Sequence, residues 1–294
     1  MILSISRYFL KVGSDRKVFS DKRANFPRLC LPQRARAFSF AVPGFLKVIV
    51  MKMMSQNRTL RPAVVKAVHD VTPHMRRVTL VGDDIKRLPV EHPAQWMKVF
   101  LPAPPGRKPE GRAYTIRRYE AIAGLMEMDF VLHGDNGPAS AWAEKAKVGD
   151  VLQLAGPRAG YRVDPAASRH LMVGDATSLP AIAAILEALP PGVTADAFIE
   201  VNGTDEEQKL ETAASLNVTW LHSGSEPPGT TGQLELALQG AVLDLSDCQA
   251  WVAGESFMVR AVRTYLTVDR LLPSGRLHAA GYWKMGDADH RDRD

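Results

Sequence analysis

The chain has 294 residues, 46% of them hydrophobic, which is enough for about two domains with cores of their own. Its two cysteines, Cys30 and Cys248, lie far apart with no CxxC spacing. That excludes a cysteine-ligated iron–sulfur cluster, a Cys-rich zinc site and a disulfide framework, and reads as two free thiols of a reducing compartment. The net charge of +5 is unevenly placed: residues 1–57 hold 11 Lys+Arg against 2 Asp+Glu, so residues 58–294 hold 26 basic and 30 acidic side chains and are net −4. A nucleic-acid footprint over the folded part is not expected.

Residues 1–57 read as a basic, disordered extension or a mis-assigned start, since Met51, Met53 and Met54 stand just before the first strand pattern. The Arg-rich, acid-poor composition also resembles an organelle transit peptide. Charges interrupt its apolar stretches, and Pro43, Gly44, Lys47 and Lys52 break residues 41–54, so no membrane span is expected. The expected location is cytoplasmic.

Residues 58–163 have a strand period. PAVVKAVHDV, MRRVTLVG, WMKVFLP, RAYTIRRYE and LMEMDFVLHG are rich in Val, Leu, Tyr and Thr, and clusters of Pro, Gly and Asp separate them. GPASAWAEKAKVGD reads as a short helix opened by Gly137 and Pro138 and closed at Gly149, and DVLQLAGPRAGY returns to strand. Strands with one helix predict an antiparallel Greek-key β-barrel. On a strand through GRAYTIRRYE, Arg112 and Tyr114 share one face and Thr115 and Arg117 the other.

Over residues 164–286 strands and helices alternate. RHLMVGD leads through a turn into a helix with Pro180 in its first turn. TADAFIEVNG is a second strand, and TDEEQKLETAASL is expected to be a polar helix. NVTWLHSG, CQAWVAGES and GRLHAAGYW supply further strands, and TGQLELALQGA and SFMVRAVRTYLTVDRLL further helices. This predicts a parallel sheet with helices on both faces, followed by a charged tail, 287–294. Such a sheet binds ligands at the carboxyl ends of its strands, and a barrel set against that edge can bring a second ligand within reacting distance.

RAYTIR, DFVLHGDNGPASAWA, GDVLQLAGPR, GDATSLPAIAAILEALP, WVAGE and GYWKMG occur in this order across residues 60–286. The set resembles the siderophore-interacting proteins, a branch of the ferredoxin reductase-like flavoproteins. The resemblance implies an FAD-binding barrel followed by an NAD(P)H-binding α/β domain. In it Tyr114 stacks on the flavin, Thr115 faces its reactive edge, and these two are the implied catalytic residues. Arg112 pairs with the FAD diphosphate, and Arg117 serves the adenosine side or the substrate mouth. Gly137 and Ser140, at a helix start, give a second diphosphate contact, and His133 is either a flavin contact or structural.

GDATSLPA is the implied nicotinamide-nucleotide turn. Gly174 allows a tight bend, Thr177 or Ser178 caps the helix, and Asp175 orients the turn or meets the nicotinamide ribose. Gly254 and Glu255 line the nicotinamide pocket, with a helix-terminal acid as the equal alternative for Glu255. Lys98 and Lys284 match basic positions suited to an anionic ferric siderophore. Tyr282 and Trp283 either cover the site or pack in the core.

The implied activity is an FAD-dependent NAD(P)H:ferric-siderophore oxidoreductase, most simply a monomer, with no metal site of its own. The alternatives are a general NAD(P)H:flavin or dye reductase and a non-catalytic siderophore-binding module. The nucleotide is NADPH or NADH: the family leans to NADPH, but Ser223 stands where a basic residue would favour it, and Asp205, Glu206 and Glu207 lie nearby.

Overall fold

The first seven strands are β1 (Arg61–Thr72), β2 (Met75–Val81), β3 (Trp96–Phe100), β4 (Gly111–Thr115), β5 (Arg118–Glu120), β6 (Leu125–Val131) and β7 (Val151–Arg158), with helix α1 (Pro138–Lys145) before β7. The structure, a computed structural model, describes residues 59–287 apart from 103–105, 107–108 and 134–136. The expected extension, residues 1–57, and positions 288–294 of the tail lie outside the described residues.

The seven strands form one antiparallel sheet in the order β4-β3-β7-β1-β2-β6-β5. Alternation decides which face is buried. Val78 and Leu80 on β2 stand opposite Met128 and Met126 on β6, and all four are fully buried. Met97, Val99, Leu152, Leu154 and Phe130 complete the cluster. Its two edge strands, β4 and β5, are consecutive in the chain, with only Ile116 and Arg117 between them. Ile116 N donates to Gln95 O and Arg117 N to Glu127 O, both at 2.8 Å, so this link joins the β3 side to the β6 side and closes the sheet as a barrel. RAYTIRRYE, expected as one strand, is therefore two. The break lies where the chain must cross from one edge to the other.

The second sheet holds β8 (Arg169–Asp175), β9 (Thr194–Val201), β10 (Ser215–His222), β11 (Cys248–Glu255) and β12 (Leu277–Trp283). All pairs are parallel, in the order β10-β9-β8-β11-β12. Helix α2 (Leu179–Ala188) packs Ile182, Ile185 and Leu186 onto Met172, Ala197 and Trp251. Helices α3 (Gln233–Gly240) and α4 (Ser256–Thr264) cover the other face, where Leu234, Leu238, Met258 and Val262 meet Leu171, Val173, Ala250 and Val252. Strand order reverses between β8 and β11, and in open α/β sheets a crevice at such a point takes the ligand.

The polar helix expected after β9 is one 3-10 turn, Thr204–Glu206. Glu206 is buried there, and its carboxylate accepts from Thr72 Oγ1 (2.6 Å) and from the His74 backbone N (2.9 Å), with the His74 ring Nδ1 at 2.8 Å. That contact with the first sheet holds the segment in place of helical hydrogen bonds. Among the described residues no helix is long and apolar enough to cross a membrane.

Candidate functional site

On the barrel side, Tyr114 is half-buried on β4, its ring 4.1 Å from that of Phe130 on β6, which lies 5.5 Å from Trp142 on α1. This aromatic row ties the RxYT strand to the helix that follows HGDNG. Burial pushes the Tyr114 phenol well above its ordinary pKa, so it stays neutral. Arg112 Nη2 meets Glu110 at 2.8 Å, an exposed partner of the kind worth about 0–1 kcal/mol, which an incoming phosphate can replace.

Thr115 is buried at the end of β4. In register with it are Trp96 on β3 and, beyond Trp96, Arg158 on β7, whose guanidinium lies 5.0 Å from the Trp96 ring centroid. Ser140 Oγ accepts from the exposed His133's backbone N (2.9 Å), and a Cβ on Gly137 would press on the His133 ring at 3.1 Å. His133, Gly137 and Ser140 are thus brought together, although the Ser140 hydroxyl is turned to the backbone.

On the sheet side, Asp175 at the end of β8 organises the crevice. It is fully buried. Oδ1 accepts from Thr177 N (2.9 Å) and Thr177 Oγ1 (2.6 Å), and Oδ2 from Glu255 N (2.7 Å) and Trp283 Nε1 (2.9 Å). One carboxylate thereby joins the ends of β8, β11 and β12. Gly254 (φ 143°) and Gly229 (φ 90°) pass against it, where a Cβ on either would strike the Asp175 side chain. Gly174 has no room for a Cβ either, being pressed on Ser178 Oγ and the Ala253 carbonyl.

Several expectations take a different form here. Ser178 holds the N-cap position of α2 without a side-chain cap bond: its Oγ donates to the Asp175 carbonyl (2.9 Å), and the Thr177 hydroxyl is held by Asp175. Asp175 orients the turn, the first of its two readings. Glu255 is the N-cap of α4, accepting from Phe257 N (2.5 Å) and Met258 N (3.1 Å), which is its helix-terminal reading. Both terminal nitrogens of Arg117 are taken by Glu187 of α2, at 3.0 and 2.6 Å, so this side chain clasps the two sheets together. Lys98 lies on the outer face of β3, 5.7 Å from the Phe100 ring centroid, and Lys284 lies 5.5 Å from that of Phe257.

Sequence reasoning missed Phe130, Trp142, Trp96 and Arg158. The first two looked like ordinary core positions, and Trp96 and Arg158 are linked only through strand register. Tyr282 and Trp283 are both partly buried at the end of β12. Trp283 is bound to Asp175, and burial pushes the Tyr282 phenol up to about 12.

A model of the siderophore-interacting FAD-binding domain matches residues 64–110 and 103–161, and one of the siderophore-interacting protein matches residues 167–286. The chain belongs to the siderophore-interacting protein family. Ferric vibriobactin reductase ViuB of Vibrio cholerae is 31% identical over 249 residues, covering 76% of this chain and 90% of that one. A siderophore utilization protein from T. fusca has a crystal structure that superposes with a TM-score of 0.74 at 32% identity, over 79% of this chain and 95% of the other. The ferredoxin reductase in carbazole 1,9a-dioxygenase shares the fold, with a TM-score of 0.60 at 22% identity, over 75% of this chain and 68% of that one.

The barrel is this family's FAD-binding domain, and its residues fit that group. The aromatic row through Tyr114, the exchangeable guanidinium of Arg112 and the Gly137 approach to His133 offer a ring face, a phosphate partner and close backbone in one region.

Proposed function

We propose that the protein is an FAD-dependent reductase of ferric siderophores that draws its electrons from NAD(P)H in the cytoplasm. Overall, NAD(P)H and two chelated Fe(III) give NAD(P)+, one proton and two chelated Fe(II), which siderophores hold far more loosely. Bound flavin supplies an acceptor of electron pairs that can release electrons singly. The observation that carries the reading is the two-pronged contact of Arg117, just past Thr115 and the flavin-signature strand, with Glu187 of α2, at 3.0 and 2.6 Å. It sets that strand beside the helix that follows β8, so that two ligands can meet at the junction.

In this reading Arg112, Gly137, His133 and Ser140 hold or shape the FAD site, Tyr114 lies along the ring and Thr115 stands at its reactive edge. Gly174 and Gly254 give Ser178 and Asp175 room to pack at the strand ends that receive the nucleotide. Asp175, Thr177 and Glu255 fix the strand ends that receive it, and Arg117 keeps the two sheets in register. Lys98 and Lys284 attract the anionic chelate. The relative named ferric vibriobactin reductase supports this choice of substrate.

The test is the absorption spectrum of protein purified with FAD, before and after anaerobic addition of NADH or NADPH and then a ferric siderophore. A folded Tyr114→Ala variant should lose the yellow colour or at least tenfold in reductase rate. Full colour and full rate in that variant would refute the flavin assignment. Faster turnover with free flavin than with any ferric siderophore would make the protein a general flavin reductase.

A further inference from the structure

The carboxyl ends of β8, β9 and β10 are the edge along which a dinucleotide would lie. Among the described residues, the segments that form this edge carry little positive charge. Between Arg169 and Arg260 the one Lys or Arg is Lys209, which is exposed and paired with Glu211 at 2.8 Å, and the same stretch holds thirteen Asp and Glu.

The acids are placed as well as numerous. Asp175 ends β8. Glu200 stands opposite it in register on β9 and is fully buried, with one oxygen accepting from Thr231 Oγ1 (2.5 Å) and the other without a partner. Glu207 follows β9 and meets His222 Nε2 of β10 at 2.8 Å. Glu226 follows β10.

The first residues after β9 and β10 carry neutral side chains. Asn202 donates to the Gly224 and Glu226 carbonyls at 3.1 and 3.3 Å, and Ser223 Oγ donates to the Glu226 carbonyl at 2.7 Å. From the barrel, Arg117 and Arg118 reach toward α2, and both lie on Glu187, at 2.6 and 3.7 Å.

NADPH differs from NADH by a phosphate of about −1.5 to −2 charge on the adenosine ribose, and phosphates are held by arginine forks or lysine. An edge that gathers carboxylates and has no arginine fork of its own repels that group. A 2′-hydroxyl carries no charge and can donate to an acceptor.

We propose that this protein selects NADH over NADPH, and that Ser223, directly after β10, and Glu207, paired with His222 at the end of that strand, set the selection. The proposal rests on the nicotinamide-nucleotide reading above.

Titration calorimetry of the FAD-loaded protein with NAD+ and with NADP+ tests it without turnover. NAD+ should bind at least tenfold more tightly at low ionic strength, and the ratio should shrink as salt screens the repulsion. Ser223→Arg should narrow or reverse the ratio. Glu207→Gln, at a half-exposed position, should move it the same way by less. NADP+ binding as tightly as NAD+, or more tightly, would overturn the selection and leave the reductase reading standing. Binding of neither nucleotide would overturn the nucleotide site itself, and the selection with it.

Discussion

Asp175 shows how one side chain can organise a crevice. Its four donors come from three places in the sequence, and all of them favour the carboxylate form. Burial outweighs them, raising its pKa from 3.8 to about 6. Because the folded value lies above the unfolded one, the folded chain holds an extra proton between those two values. This group's contribution to stability is therefore full below about pH 4 and is lost as pH rises through 6. Trp283 is the reporter, because its indole N–H donates to Oδ2 of this carboxyl group. Tryptophan emission should show a step with a midpoint near pH 6, and Trp283→Phe should remove it while Trp96, Trp142, Trp220 and Trp251 keep emitting. A step that persists in Trp283→Phe would mean that the proton sits elsewhere.

Where the elements meet, the determining contacts are ionic and long-range. Arg117 lies in the link between β4 and β5, and Glu187 in the last turn of α2. Their bidentate contact is mostly buried, with side-chain exposures of 7% and 29%. Removing Arg117 leaves Glu187 only the looser contact with exposed Arg118 at 3.7 Å, so Arg117→Ala should cost about 3 kcal/mol in urea unfolding, whereas pairing Arg117→Met with Glu187→Leu should recover most of it. Equal losses in the single and the double variant would show that packing, not charge, holds this join. The same distinction explains what the sequence made legible. The barrel strands were readable because residues such as Val78 and Leu80, or Met126 and Met128, alternate, the strands of the second sheet because they are short apolar runs between turns, and its helices because apolar residues recur along them. The helix expected after β9 failed because Glu206 finds Thr72 and His74, which lie more than a hundred residues earlier in the chain. Likewise, no local pattern tells that Thr177 turns to Asp175 instead of capping α2, or that Arg117 faces Glu187. The motif residues could be found by type and order, but their partners only by fold.

For the molecule as a whole, the proposed function needs two sheets with unrelated internal logic to meet at one place. The barrel ends in a row, Arg158, Trp96 and Thr115 across β7, β3 and β4, and Thr115 is the barrel side chain that counters burial at the Tyr282 phenol of β12. In the proposed reading these two side chains link the flavin-side strand to the nucleotide-side strand. Thr115→Val and Tyr282→Phe should therefore each slow anaerobic reduction of the bound flavin by NADH, and the double variant should be little slower than the slower single. The coupling expected for a direct contact is about 1 kcal/mol. Rate losses that simply add would show that the two side chains act independently, and the junction would then have to be held by Arg117–Glu187 and the Glu206 contacts alone. Near-additivity in rate together with unchanged flavin absorption would place Tyr282 with the nucleotide and Thr115 with the flavin, each without influence on the other.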